Sequence, residues 1–213
     1  MDLLNANLAL FVSASLALIV IPGQDNIYIL TRGIAQGRRA ALVSAWGVCA
    51  GLLVHTAFAA VGLSAILASS ALAFSVVKYV GAAYLAYLGL RMILSRKGLA
   101  IYEGGDGARS ASMRTVLLQG LASNVLNPKV ALFFLAFLPQ FAHTGTGGSH
   151  LQFAFLGLLF VALALVVTTL LALFCGTVGN WLKDRPSVTG AIGKAAGGVL
   201  VALGVRLALS SAR

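Results

Sequence analysis

Two short polar clusters interrupt long apolar stretches of this sequence, and the first lies in IVIPGQDNIYIL (residues 19–30). Pro22 has no backbone N–H and Gly23 permits a bend, so a helix is expected to break there. Asp25 and Asn26 then fall in the first turn of the following helix. Free N–H groups and the helix dipole favour an anion at such a position. The carboxylate of Asp25 is therefore predicted to bind an ammonium group or to carry a proton.

The second cluster lies in SNVLNPKVALFF (residues 123–134) and contains Asn124, Asn127, Pro128 and Lys129. The residue before a proline avoids the α region, so Asn127 is the expected break point of a second helix. Together the two clusters contain one anion, one cation and several neutral hydrogen-bonding side chains. This set of groups suits a small zwitterionic ligand.

Structural roles stay open for these residues. A proline kink alone is common in membrane helices, and a salt bridge between Asp25 and Lys129 would simply hold two helices together. His55, in GLLVHTAF, either carries a proton, because imidazole titrates near physiological pH, or hydrogen-bonds a neighbouring group. Ionisable residues inside a membrane are costly and are therefore functional candidates.

Catalytic chemistry is not predicted. The sequence shows no recognisable nucleophile–base set, and His143 and His150 flank one connection without a zinc-ligand pattern. We expect a protein that is not an enzyme and that has no catalytic residue, no metal site and no cofactor.

The composition shows which solvent surrounds these clusters. Of the 213 residues, 60% are hydrophobic and only 9% are charged, too few to cover the surface of a soluble domain. A bilayer-spanning helix needs about 20 apolar residues, so this length allows roughly six spans. Six apolar runs bounded by charged or turn residues lie at 5–30, 41–67, 74–94, 115–141, 151–176 and 189–209. We predict an all-α integral membrane protein with six transmembrane helices, of which helices 1 and 4 are broken.

The basic residues indicate the orientation of these spans. The net charge of +10 is spread between the apolar runs and not clustered, so we expect no nucleic-acid partner. Cations are concentrated in the first, third and fifth connections, whereas the second and fourth have none. The positive-inside rule then places the odd-numbered connections in the cytoplasm and both termini outside it.

The whole chain, 1–213, is predicted to be a single transmembrane transporter domain made of two halves. A Gly- and Ser-rich cytoplasmic linker at 95–114 separates 1–94 from 115–213. Three spans per half place the second half upside down relative to the first, as in the inverted repeats of secondary transporters. Glycine pairs such as Gly47–Gly51 and Gly193–Gly197 allow close helix contact, either within one chain or in a homodimer.

These motifs resemble those of the LysE/RhtB family of amino-acid exporters. The resemblance rests on the stretch from IVIPGQDN to LLVHTAF (19–58), on LASNVLNPKVALFFLAFLPQF (121–141) and on KYVGAAYLAYLGLRMI (78–93). Many members have proline where this chain has Gln24, but Pro22 is present, so the break should survive. The resemblance implies export of amino acids or close derivatives from the bacterial cytoplasm, driven by the proton gradient.

We therefore predict a proton-coupled secondary exporter of the bacterial inner membrane, with an amino acid, protons and membrane lipid as partners. Asp25 would alternate between a proton and the substrate ammonium, and Lys129 would meet the substrate carboxylate or balance Asp25. Neutral hydrogen bonds would come from Asn26, Asn124 and Asn127. The alternative is a cation or metal-ion efflux permease, which should have more carboxylate, His or Cys ligands within its spans.

Overall fold

The structure is a computed structural model that describes residues 2–63, 71–95, 111–141, 149–177 and 186–209. Regular secondary structure in these ranges is helical, and the eight α-helices are numbered here in chain order. They are α1 (Asp2–Val20), α2 (Gln24–Gln36), α3 (Arg38–Phe58), α4 (Ala71–Leu94), α5 (Met113–Val125), α6 (Pro128–Leu132), α7 (Ser149–Leu173) and α8 (Pro186–Leu209). A π-helical stretch, Ala59–Leu63, follows α3, and α6 continues through the π-helix Phe133–Phe137 and the 3-10 helix Leu138–Phe141.

Among the described residues, four helical segments are long and apolar enough to cross a membrane. These segments are Arg38–Gly62, Ser75–Leu94, His150–Leu173 and Gly190–Leu209. Two bent pairs add to them: Leu8–Val20 with Gln24–Gln36, bent by 47°, and Met113–Val125 with Pro128–Phe141, bent by 46°. Counting each pair as one span gives up to six. The prediction of an all-α membrane protein is confirmed, and the inverted repeat stays a prediction.

The bend between α1 and α2 lies where Pro22 and Gly23 predict it. Gly23 has extended backbone angles (φ −149°, ψ −172°), and α2 begins at the next residue with Asp25 in its first turn. The other end of α2 is set by Gly37, whose φ of +83° lies in the left-handed region that favours glycine. The chain turns directly into α3 at this residue.

The second bend is produced by Asn127 and Pro128. Asn127 is extended (φ −78°, ψ 106°), as a residue before proline should be, and its Oδ1 accepts from the backbone N–H of Lys129 at 3.0 Å. This asparagine is therefore the N-cap of α6, and Pro128 takes the first helical position, where its missing N–H costs nothing.

The two bent pairs run antiparallel to each other. On the α2 side of the bends, the hydroxyl of Tyr28 donates to the carbonyl of Val116 in α5 at 2.7 Å. On the α1 side, the rings of Phe11 and Phe133 lie 6.4 Å apart. The bends of the two pairs consequently meet in the interior of the protein.

Glycine allows the closest helix contacts. A Cβ at Gly47 of α3 would overlap the carbonyl of Leu117, and one at Gly51 would lie 2.7 Å from the Cβ of Asn124, both in α5. The contact predicted for Gly47–Gly51 is thus present between α3 and α5. Gly197 of α8 packs similarly against α4. At Gly193 a Cβ would meet nothing within 4 Å, so within the described chain the close contact of this glycine pair is formed at Gly197 alone.

Some predicted features lie outside the described residues. They include the last part of the second apolar run (64–67), most of the 95–114 linker and His143.

Candidate functional site

The carboxylate of Asp25 is buried, with 9% of the residue exposed, and is held by the second cluster. Its Oδ2 accepts from the Nδ2 atoms of Asn124 at 2.8 Å and Asn127 at 2.9 Å. The hydroxyl of Ser123 lies at 3.5 Å from Oδ1, a long hydrogen bond. These donors are all neutral and lie about a hundred residues away along the chain. The fold therefore brings the two clusters predicted from the sequence into direct contact.

Lys129 lies in the same region but does not bond to Asp25. Its Nζ donates to the backbone carbonyls of Leu18 and Ile21, each at 3.1 Å. Within the part of the chain that the structure describes, no salt bridge joins the Asp25 carboxylate to the Lys129 ammonium. A direct ion pair between these residues is thus not what holds the two broken helices together.

Asn26 and Gln24 complete the contacts of the first bend. The Nδ2 of Asn26 donates to the carbonyls of Ile19 at 3.0 Å and Ile21 at 3.3 Å, both released by the break in the helix. The Nε2 of Gln24 donates to the carbonyl of Ser123 at 3.3 Å. In the sequence Gln24 stood out only as a departure from the family pattern, although its polarity inside an apolar run was a signal that it has a partner.

His55 of α3 contacts the second bend. Its Nε2 lies 3.1 Å from the carbonyl oxygen of Asn124, and its ring centroid lies 5.7 Å from that of Phe134. Because a carbonyl only accepts, Nε2 carries the hydrogen in this contact. The sequence left two roles open for His55. The hydrogen bond to a neighbouring group is present in the structure, and proton transfer stays a hypothesis.

A small cavity lies between the two bends. The volume that the centre of a water molecule can occupy in it is about 30 Å³. Its polar wall comprises Asp25, Asn26, Asn124, Lys129 and Thr168. The remaining wall is apolar and comprises Leu18, Ile19, Val48, Leu52, Val130, Phe160 and Ala164. This volume suits one or two water molecules. An amino acid is larger, so the surrounding helices must separate before one can enter.

Polar contacts cover the site on the α2 side; they are called here the α2–α5 contacts. Tyr28, Arg32 and Gln36 recur every four residues and so share one face of α2. Arg32 donates to Gln119 of α5, and the Nε2 of Gln36 donates to the carbonyl of Ala111 at 2.8 Å. The sequence pattern predicted that Arg32 is one of the cations of the first connection between spans. In the structure the residue belongs to α2 and is buried.

Phenylalanine rings cover the site on the α1 side. Phe133 lies 4.9 Å from Phe137 and 5.2 Å from Phe160, measured between ring centroids. The phenylalanine cluster, as it is called below, comprises Phe11, Phe133, Phe134, Phe137, Phe141 and Phe160. Asp25 and Lys129 therefore lie between the α2–α5 contacts and the phenylalanine cluster.

A helical membrane bundle with broken helices beside a partly polar cavity is the architecture of a multi-pass transport protein. The chain belongs to the LysE type translocator family, whose family model matches residues 16–211.

Curated relatives match almost the whole chain. It is similar to an uncharacterised membrane protein, YrhP, of Bacillus subtilis, with 27% identity covering 96% of this chain and 99% of the relative. The homoserine/homoserine lactone efflux protein of Salmonella typhimurium is 29% identical over 93% of this chain and 94% of its own. A leucine efflux protein of Klebsiella pneumoniae is 27% identical, covering 95% and 94%. No solved structure matches the chain.

Proposed function

We propose that this protein exports neutral amino acids from the bacterial cytoplasm and that a proton moving inward drives each export cycle. The observation that carries the proposal is the cavity between the two bends, whose wall has one carboxylate, one ammonium, three neutral polar side chains and otherwise apolar side chains. A zwitterion needs both charges, and an uncharged side chain suits the apolar wall. The relatives named for homoserine and leucine efflux point to the same class of substrate.

In this proposal the charge of the Asp25 carboxylate draws the α-ammonium of the substrate into the cavity. The amides of Asn124 and Asn127 orient this carboxylate, and Lys129, on the opposite bend, meets the substrate carboxylate. Protonation of Asp25 removes the negative charge that attracts the ammonium and so promotes release. Proton binding from the outer side would therefore be coupled to substrate release on that side.

The proposed setting is the inner membrane, with both termini outside the cytoplasm and two inverted three-helix halves. The antiparallel course of the two bent pairs supports such an arrangement. A homodimer, with lipid around it, stays part of the proposal because Gly193 leaves one face of α8 open.

Metal-ion efflux is less consistent with this site. Among the described residues, no three His, Cys, Asp or Glu side chains come close enough together to hold a metal ion. Asp25 is the sole carboxylate that the described cavity wall contains, and it already accepts two amide N–H groups.

Release of amino acids from cells loaded with dipeptides tests the proposed function. Cells that express the protein should release particular neutral amino acids faster than cells with an empty vector, and Asp25→Asn should abolish this difference at matched membrane levels. The same change at the start of the chain, Asp2→Asn, is the control and should leave export intact. Export by Asp25→Asn at the normal rate, with an unchanged pH dependence, would exclude the role assigned to Asp25.

A further inference from the structure

The bend between α1 and α2 leaves backbone carbonyls without helical donors. In a continuous α-helix the carbonyl of Leu18 would accept from the N–H of residue 22, but that residue is a proline. The carbonyl of Ile21 lies just beyond the end of α1. Unpaired carbonyls cannot face lipid, so another donor must reach them.

The ammonium of Lys129 supplies that donor to the carbonyl of Leu18 and shares the carbonyl of Ile21 with the Nδ2 of Asn26. Its two hydrogen bonds to Leu18 and Ile21 use two of its three N–H groups. The ammonium sits within the bend itself, because a Cβ on Gly23 would lie only 2.9 Å from Nζ. The carbonyl end of a helix carries partial negative charge, which stabilises a cation at this position. The bend is thus a place where an ammonium group binds.

Further acceptors adjoin this position. Asp25, Lys129 and Asn124 border the same cavity. Asn124 is fully buried, and its Oδ1 has no hydrogen-bond donor among the described residues. Carbonyl, carboxylate and amide oxygens next to one cavity are the acceptors that the ammonium of an amino acid requires.

We infer that the bend of α1 is an ammonium subsite that Lys129 occupies in the present structure and that the substrate's α-ammonium takes over during transport. This inference rests on the proposed function and identifies where the substrate's amino group binds. The displaced Lys129 stays beside the cavity, where it can meet the substrate carboxylate. One lysine then satisfies the broken helix before substrate binds and provides the opposite charge afterwards.

Binding of n-butylammonium to Lys129→Ala tests the subsite directly, because this ion reproduces the four carbons and the ammonium of a lysine side chain. We expect saturable binding and a raised unfolding temperature for purified Lys129→Ala. Wild-type protein should bind n-butylammonium at least about tenfold more weakly, because its own lysine occupies the subsite. A factor of ten in affinity corresponds to the free energy of about one charge-assisted hydrogen bond. Equal binding to both proteins would overturn the inference.

Two controls separate this effect from charge and from folding. Tetramethylammonium has the same charge but no N–H, so it should not bind Lys129→Ala. Lys194→Ala removes an exposed lysine of α8 and should respond to n-butylammonium as wild type does. If Lys129→Ala does not fold, Lys129→Gln replaces it, because an amide still donates to one carbonyl yet competes less strongly than an ammonium. The same comparison with wild type then decides.

Competition shows whether the substrate uses this subsite. L-leucine and L-homoserine are added to Lys129→Ala that holds n-butylammonium, and whichever is exported should displace it competitively. If the amino acid displaces n-butylammonium but not competitively, the inference that the substrate's α-ammonium binds in this subsite is overturned. If loaded cells export no amino acid while n-butylammonium still prefers Lys129→Ala, the subsite stands and the proposed function fails. If loaded cells export amino acids but n-butylammonium binds Lys129→Ala no better than wild type, the proposed function stands and the subsite fails.

Discussion

At the scale of single residues, each broken helix is completed by a donor from a distant part of the chain. Pro22 removes the donor for the carbonyl of Leu18, and Lys129 replaces it at 3.1 Å. Pro128 likewise cannot donate to the carbonyl of Asn124, which accepts instead from the backbone N–H of Asn127 at 2.9 Å and from His55 Nε2 at 3.1 Å. Lys129 and His55 thus each bring a hydrogen bond from a distant part of the chain to one of the bends, although the carbonyl of Asn124 also has a backbone donor of its own segment.

His55 is accordingly predicted to position Asn124 through this hydrogen bond. His55→Gln, whose amide can still donate, should keep most of the export activity and the wild-type pH profile. His55→Leu should lower the unfolding free energy by about 0.5–1.5 kcal/mol, because it removes one of the two hydrogen bonds that the carbonyl of Asn124 accepts, and it should slow export.

Export rates across a range of pH values, together with denaturant unfolding of both variants, measure these effects. A pH profile that loses a titration step in His55→Gln, at normal stability, would instead indicate that His55 carries a proton.

At the scale of helices, the site depends on how closely α3 approaches α5. Gly51 makes this possible, since a Cβ there would lie 2.8 Å from Oδ1 of Asn124 as well as close to its Cβ. The same asparagine orients Asp25. Packing between two helices and the geometry of the carboxylate are therefore linked.

Gly51→Ala is expected to push α5 away from α3 and to destabilise the protein by about 1–3 kcal/mol, as overpacking does. Export should fall with it, because Asn124 moves relative to Asp25. Gly198→Ala in α8, where a Cβ would meet nothing within 4 Å, is the matched control and should be neutral or slightly stabilising. Thermal unfolding in detergent and amino-acid release measure the two effects, and equal behaviour of the two variants would contradict the assigned packing.

At the scale of the whole molecule, the cavity lies between two sets of contacts. The α2–α5 contacts cover one side with polar side chains, and the phenylalanine cluster covers the other with aromatic rings. Alternating access requires that each cover opens in turn while the other stays closed. By the predicted orientation, the α2–α5 contacts face the cytoplasm and would control entry.

Weakening the α2–α5 contacts should expose the cavity from their side. Cys49 is a suitable reporter, because it is buried beside the cavity and its Sγ lies 3.7 Å from Oγ1 of Thr168. In a Cys175→Ser background, Gln119→Ala removes an acceptor of Arg32 and should speed modification of Cys49 by a thiol reagent severalfold. Gln152→Ala, on α7, is the control, and equal labelling rates in the two variants would exclude gating by these contacts.

Local chemistry is enough to predict much of this protein. Hydropathy predicts the helices, because a bilayer leaves backbone groups no other partners. Pro22 and Pro128 predict the two bends, because each lacks an N–H whatever surrounds it. The polar residues beside each proline also identify Asp25, Asn124, Asn127 and Lys129 as candidates for one site.

Only the tertiary structure decides which of these groups bond to one another. Asp25 bonds to amides and Lys129 bonds to carbonyls of α1, although opposite charge alone suggested that the two would pair. Local sequence patterns likewise do not predict that Arg32 contacts Gln119 or that the surface at Gly193 is open. The physical reason is that a side chain bonds to whatever acceptor the packed helices bring within about 3 Å, and these partners lie up to 111 residues away in the chain.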